Sequence, residues 1–376
     1  SESGRKNPAA TEVVPAPKTP ENRASSSWRA QDSLHIVFLS MKVIALLLST
    51  LCLLDAKVSW KSALNQKLNW YGSPEARELA KKVMLYQRDN GGWPKNQDFS
   101  RKIDTADLKE LTQQRSNLKD TTIDNGATYT PLKYLTRVWQ AQASPGLEAS
   151  LHRGIAFLLR SQYNNGGWPQ RPHSSGYGLH ITYNDGAMIG VMSFLRDLEK
   201  DPITFLREDE KSSIMNALNL GLNCILQTQI YIHRKPTVWC AQHDAKTLLP
   251  AQARSYEHPS FSGAESAGIV KYLMEIQEPS NEVLESISGA ITWFRQKQIN
   301  GIRIIKKDGD KTIVQDDNAP PLWPRFSDLQ TGKPIFSGRD GIIKSSITEI
   351  EAERRNGYAW YVGNPRSILN DHDHDR

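Results

Sequence analysis

The segment Gln87-Arg-Asp-Asn-Gly-Gly-Trp-Pro-Lys95 returns almost unchanged as Gln162-Tyr-Asn-Asn-Gly-Gly-Trp-Pro-Gln170. Each copy is followed by a second echo, Thr122-Ile-Asp-Asn-Gly-Ala127 and Thr182-Tyr-Asn-Asp-Gly-Ala187. A degenerate third copy runs from Gln227 through Trp239 to Ser262-Gly-Ala-Glu-Ser266. Apolar residues at three-to-four spacing predict a helix before and after each loop, over about 126–140, 147–162, 185–199, 209–229, 263–276 and 281–298. Ser73-Pro74-Glu75 opens an earlier one, with an N-cap, a first-turn proline and an acid at the positive end of the dipole. Helix pairs that cannot bury their faces alone must stack or close on one another. The expected fold is therefore mainly α: an α/α toroid of about three helix pairs, with its loops gathered at one end as a cleft. Asp308-Gly309 between two β-prone runs predicts a small hairpin, and a loop-rich C-terminal region follows, frayed from His372.

Composition limits the function classes without choosing one. At 38% hydrophobic and 23% charged, with ten tryptophans, the chain reads as globular rather than disordered. Its net charge is +6. Met41-Lys42, the apolar run Val43–Leu54 and Ala56 form a secretory signal pattern, too short to span a bilayer as a helix. The expected organisation is a non-native or upstream segment over 1–40, a signal peptide over 41–56 and one catalytic domain over 57–376, exported to the periplasm or beyond. Six of the 47 Lys/Arg and five of the 41 Asp/Glu lie within 1–56, so 57–376 keeps a net charge of +5. That excess suits a polyanion, whether nucleic acid, anionic lipid or acidic polysaccharide. Export would permit a bridge between Cys224 and Cys240, although Cys224 lies in an apolar helical pattern and reads equally as a buried thiol.

Several residues could carry chemistry. Trp93 and Trp168 read as architectural, because a Trp beside Pro makes a rigid wall that packs well. Asp124 and Asp185 stand at helix starts in matching repeats, where each could serve simply as an N-cap. Brought together with their amide neighbours, they would offer hard oxygen ligands to a cation such as Ca²⁺. Arg254 precedes a helix and could merely pair with Glu257 at the surface, a contact of small energetic weight. Lys95, Arg325 and Arg339 lie in loops, and guanidinium groups match carboxylates bidentately.

Five motifs occur in order: D-N-G-G-W-P-K-N, T-I-D-N-G-A-T, W-x-A-Q-H-D, A-R-x-Y-E with S-x-S-G-x-E-S, and S-G-R-D-G. Together, over about 73–362, they resemble family 10 polysaccharide lyases, the pectate lyases built as α/α toroids. The resemblance implies calcium-assisted β-elimination on α-1,4-linked polygalacturonate by a monomer, giving 4,5-unsaturated products and involving no nucleic acid and no stable membrane association. Residue by residue, it implies that Arg254 is the base for the C5 proton and that Asp124 and Asp185 bind Ca²⁺. It likewise implies that Lys95, Arg325 and Arg339 contact substrate carboxylates. An arginine base needs nearby cations or burial to lower its proton affinity; otherwise Arg254 stabilises charge while another group takes the proton. Two rival readings remain open to the residues: an inverting glycoside hydrolase using Asp124 and Asp185, and a non-catalytic pectin-binding module.

Overall fold

The computed structural model describes residues 58–200 and 204–374. The segments read as 1–40 and as the signal peptide 41–56 lie outside them. Eight long helices carry the architecture: α1 Pro74–Leu85, α2 Tyr129–Ala141, α3 Pro145–Ser161, α4 Ala187–Lys200, α5 Glu208–Thr228, α6 Gly263–Met274, α7 Asn281–Lys297 and α8 Asn364–His374. Several starts are capped as their sequences dictate. Ser73, Ser144, Ser262 and Ser280 each accept a hydrogen bond from a backbone N–H in the first turn. The even-numbered helices pack on one another in order, α2 on α4, α4 on α6 and α6 on α8. The odd-numbered helices form a second row, α1 on α3, α3 on α5 and α5 on α7. This is a mainly α, toroid-like arrangement with one continuous apolar core.

The tryptophans explain why the copies stack. Trp93, Trp168 and Trp239 are fully buried. Their indole N–H groups donate to Val83 O, Leu158 O and Ile225 O at 2.8, 2.8 and 2.7 Å, each a carbonyl in the helix that precedes the loop. Trp323 repeats the contact with Phe294 O at 2.7 Å, so α7 and α8 form a fourth helix pair beyond the three legible in sequence. Glutamines then tie each copy to the next. The Gln87 amide donates to its own loop at Gly91 O and across to Ser150 O in α3. Gln162 bridges Gly166 O and Ala217 O in α5, and Gln229 bridges Thr237 O and Ser286 O in α7. The Gln87 and Gln229 amides are buried and the Gln162 amide is half-buried, so at the buried pair losing either partner would strand a polar group at about 1–3 kcal/mol.

The hairpin forms as expected, with β1 Ile302–Lys307 antiparallel to β2 Asp310–Gln315 around Asp308 and Gly309 in left-handed conformations. A second apolar cluster of Tyr256, Phe326, Phe336, Trp360 and neighbours sits beneath the C-terminal loops. The tail differs from expectation. Instead of fraying from His372, it is helical to His374, with Pro365 and Ile368 buried. Two further helices, Thr105–Gln114 and Ala352–Gly357, are mostly polar and were not legible as elements. Cys224 and Cys240 are buried free thiols, not a bridge.

Candidate active site

The cleft is assembled by a backbone interlock between copies. The carbonyl two residues past each Trp accepts from the acidic turn of the preceding copy. Gln170 O takes the Ile123 N–H at 3.2 Å and the Thr122 hydroxyl at 2.5 Å. Ala241 O takes the N–H groups of Tyr183 and Asn184 at 2.9 and 3.0 Å, and Arg325 O takes that of Gly263 at 3.1 Å. Successive acidic turns are thereby held side by side. Tyr129 lies under both of the first two. Burial pushes its hydroxyl up to about 12, and the charges of Asp185 and Asp124 add to the shift.

The two turns share a backbone but not a carboxylate position. Asn125 (φ 50°, ψ 29°) superposes in conformation on Asp185 (φ 51°, ψ 28°), each followed by a left-handed glycine, Gly126 or Gly186. Asp124 therefore corresponds to Asn184, and Asp185 to Asn125. The matching positions read from sequence are offset by one, acid and amide exchanging places. Neither aspartate side chain caps its helix. Asp124 is nearly buried and accepts from Lys95 Nζ at 2.5 Å. Asp185 accepts from Asn184 Nδ2 at 2.8 Å and from Arg325 at 3.3 Å. Both conformations at positive φ suit Asn and Asp, whose short polar side chains tolerate the left-handed region.

Lys95, Asp124, Asp185 and Arg254 line one cleft, together with Arg171 and Gln242. Arg254 is fixed by Glu257, whose carboxylate takes the Nε hydrogen at 2.8 Å, a second guanidinium hydrogen and the Arg254 backbone N–H at 3.2 Å. That carboxylate bond chiefly holds the Arg254 guanidinium more firmly protonated than usual. Burial pushes Glu257 up, but the bonds and charge of Arg254 and the Tyr358 hydroxyl outweigh it, leaving Glu257 below the ordinary range. The pair is no exposed surface bridge, because Glu257 is buried.

Arg325 sits beneath the cleft, buried, and joins three copies. It donates to Asn184 Oδ1 at 3.2 Å, to Asp185 and to the buried Glu265 at 2.5 Å. Burial alone would weaken its hold on the proton, but Glu265, Tyr358 and Asp185 together more than reverse this. The Tyr358 ring stacks against it, 4.6 Å from the guanidinium carbon, and also faces Arg254 at 5.8 Å. Arg339 does not line this cleft. It is exposed and donates to Glu353 at 2.9 and 3.0 Å, while Arg354, which shares Glu353, covers the Tyr256 ring beside Arg254. Glu265, Tyr358 and Arg171 were not assigned a role from sequence, and Glu257 was read only as a surface partner of Arg254; of the first three, only the repeat position of Glu265 gave any signal.

The donor chemistry suits a hard divalent cation. Two carboxylates and the Asn125 and Asn184 amides converge, and Gln242 Oε1, from a residue lining the same cleft, is buried with no partner. Among the described residues, no three Asp, Glu, His or Cys side chains are grouped to hold a metal by themselves. A cation held here would need a further anionic donor, which an acidic ligand would bring.

A comparison with curated sequences finds no match. Among solved structures, the family 10 polysaccharide lyase from Cellvibrio cellulosa is 30% identical with a TM-score of 0.72, over 82% of this chain and 94% of that one. A variant of the same enzyme in complex with trigalacturonic acid is likewise 30% identical, with a TM-score of 0.72, over 82% and 95%. The family model described as pectic acid lyase matches residues 87–369. With that match covering most of the chain, the chain belongs to the pectic acid lyase family and is a polysaccharide lyase.

Proposed function

We propose that this lyase acts on α-1,4-linked polygalacturonate by calcium-assisted β-elimination, leaving a 4,5-unsaturated sugar. The observation that carries the reading is one cleft lined by Asp124 and Asp185 with their amide neighbours, and by three basic side chains, one of them paired with the cleft's third carboxylate, Glu257. The related Cellvibrio enzyme in complex with trigalacturonic acid supports the choice of substrate. Family membership selects lyase chemistry over the hydrolase and the non-catalytic module.

A uronate carboxylate lies beside C5, so neutralising it stabilises the enolate-like charge that develops as the C5 proton leaves. Asp124, Asp185 and the Asn125, Asn184 and Gln242 amides would hold Ca²⁺, which supplies Lewis-acid neutralisation of that carboxylate. Arg254, oriented by Glu257 and the Tyr358 ring, would act at C5. Paired as it is with Glu257, it is protonated and can only donate. To take the proton it must first lose its own, against the Glu257 carboxylate that holds it. Arg325 fixes Asp185 and the neighbouring turns from below, and Lys95 holds Asp124. Arg339, on the outer edge, would reach substrate only beyond this cleft. The secretory leader read at 41–56 suits a polymer too large to enter a cell. Among the described residues, no helix is long and apolar enough to cross a membrane.

Polygalacturonate with calcium should give rising ultraviolet absorbance from the unsaturated end, abolished by a chelator and restored by adding calcium. New reducing ends without absorbance would sink the reading, and so would activity indifferent to chelation.

A further inference from the structure

Three basic residues line the cleft, and two of them are already paired: Lys95 with Asp124 and Arg254 with Glu257. Arg171 is the exception. Its Nε is buried with no hydrogen-bond partner, and among the described residues no carboxylate pairs with its guanidinium, although Asp124, Asp185 and Glu257 line the same cleft. The arginine is nonetheless held in place. Its N–H donates to Gly178 O at 2.9 Å, and its carbonyl accepts the Ser174 N–H at 3.2 Å and the Ser174 hydroxyl at 3.0 Å. The Tyr177 ring lies 5.6 Å from the guanidinium carbon, a cation–π contact that orients the fork. Gly178 keeps the turn closed, because a Cβ there would overlap the Ser174 hydroxyl and crowd Arg171 Nε. A guanidinium with five donors, fixed at a cleft wall and satisfied by no protein acceptor, is built for a ligand that supplies one.

Resting on the pectate reading above, we propose that Arg171, braced by Tyr177, is a specificity-determining residue. It binds the carboxylate of a galacturonate unit other than the one at Arg254. The planar fork accepts a carboxylate through two parallel bonds, whereas a methyl ester carries no charge and weaker acceptors. Arg171 therefore selects for a free acid at a second position along the chain and sets affinity rather than the chemical step.

The test uses Arg171→Ala, with Arg171→Lys as the conservative companion and thermal unfolding to confirm the fold of each. On polygalacturonate with calcium chloride, Arg171→Ala should raise KM roughly tenfold with kcat within about twofold, and Lys should recover part of the loss. Binding is read by calorimetry in an Arg254→Ala background with calcium chloride, using trigalacturonate and its methyl ester as probes. Removing Arg171 there should weaken trigalacturonate by a similar factor and leave the ester unchanged. Unchanged trigalacturonate affinity, an equal loss for the ester, or a fall in kcat at constant KM each overturns the proposal. No binding of trigalacturonate to the parent protein overturns it too. Binding without any unsaturated product from wild type would instead defeat the lyase mechanism, while the calorimetry still decides the role of Arg171.

Discussion

At the scale of single residues, the Arg254–Glu257 pair sets the most direct test of how the C5 proton leaves. Glu257 holds Arg254 above its ordinary proton affinity. If Arg254 is the base, only the rare deprotonated fraction works, and the rate should climb about tenfold per pH unit through the alkaline range. Glu257→Gln keeps the shape but removes the negative charge, so Arg254 releases its proton more readily. The expected outcome is a pH–rate profile displaced toward lower pH, measured as kcat from pH 7 to 11. A profile of unchanged position would leave Arg254 as a permanent cation that stabilises charge. Sequence could not have exposed this coupling. Glu257 lies three residues from Arg254 and reads as an ordinary surface partner, while its burial depends on Tyr358, which lies far along the chain and bonds it at 2.8 Å. Arg171 was hidden for a related reason: it lies one residue past the Gln162–Gln170 copy, where the first copy has Asn96, and its isolation from carboxylates is a fact of three dimensions.

At the scale of elements, the Gly-Gly-Trp loops show how much of the fold was legible. Their glycines read as left-handed turns, and Gly91 (φ 96°) and Gly166 (φ 88°) are so. A second demand appears only in the structure. A Cβ at Gly91 would overlap Arg153 O in α3, and one at Gly166 would overlap Leu220 O in α5, so each loop lies against the backbone of the next copy. Gly91→Ala and Gly166→Ala should each cost about 2–4 kcal/mol, from overpacking and positive-φ strain together. Gly146, exposed near the start of α3 with no atom near its missing Cβ, is the control. Gly146→Ala should be neutral or stabilise by up to about 1 kcal/mol. Urea unfolding of the three variants measures both effects, and equal stabilities would remove the interlock from the account. The seven helices α1 to α7 were legible because their apolar faces repeat at helical spacing. The polar helix Thr105–Gln114 buries Leu111 and little else, so it left no periodic trace. The fourth pair escaped notice because the β1–β2 hairpin separates Trp323 from α7.

At the scale of the whole molecule, stability depends on seams between copies, and one of them titrates. The strand Ile181–Thr182 of the second copy pairs with Gln242–His243 of the third, placing His243 in the seam with no exposed surface. The Cys240 N–H donates to His243 Nε2 at 3.2 Å, so Nε2 must accept. The ring proton therefore sits on Nδ1 and is donated to Leu248 O at 2.9 Å. A second proton would have to enter at Nε2, against a donor and away from water. Burial accordingly depresses His243 from 6.5 to about 4. Below pH 6.5 the unfolded chain takes up a proton that the folded chain refuses, so stability falls with pH until the folded ring also titrates near 4. The loss amounts to about 3 kcal/mol over that window. Urea unfolding at pH 7.5 and pH 4.5 should show it on top of the smaller contribution from carboxylates. In His243→Gln, where nothing titrates at this position, the same drop in pH should cost less by a comparable amount. If the two proteins lose stability in parallel, the seam does not sense protons, and the acid sensitivity of the toroid must come from its ion pairs instead.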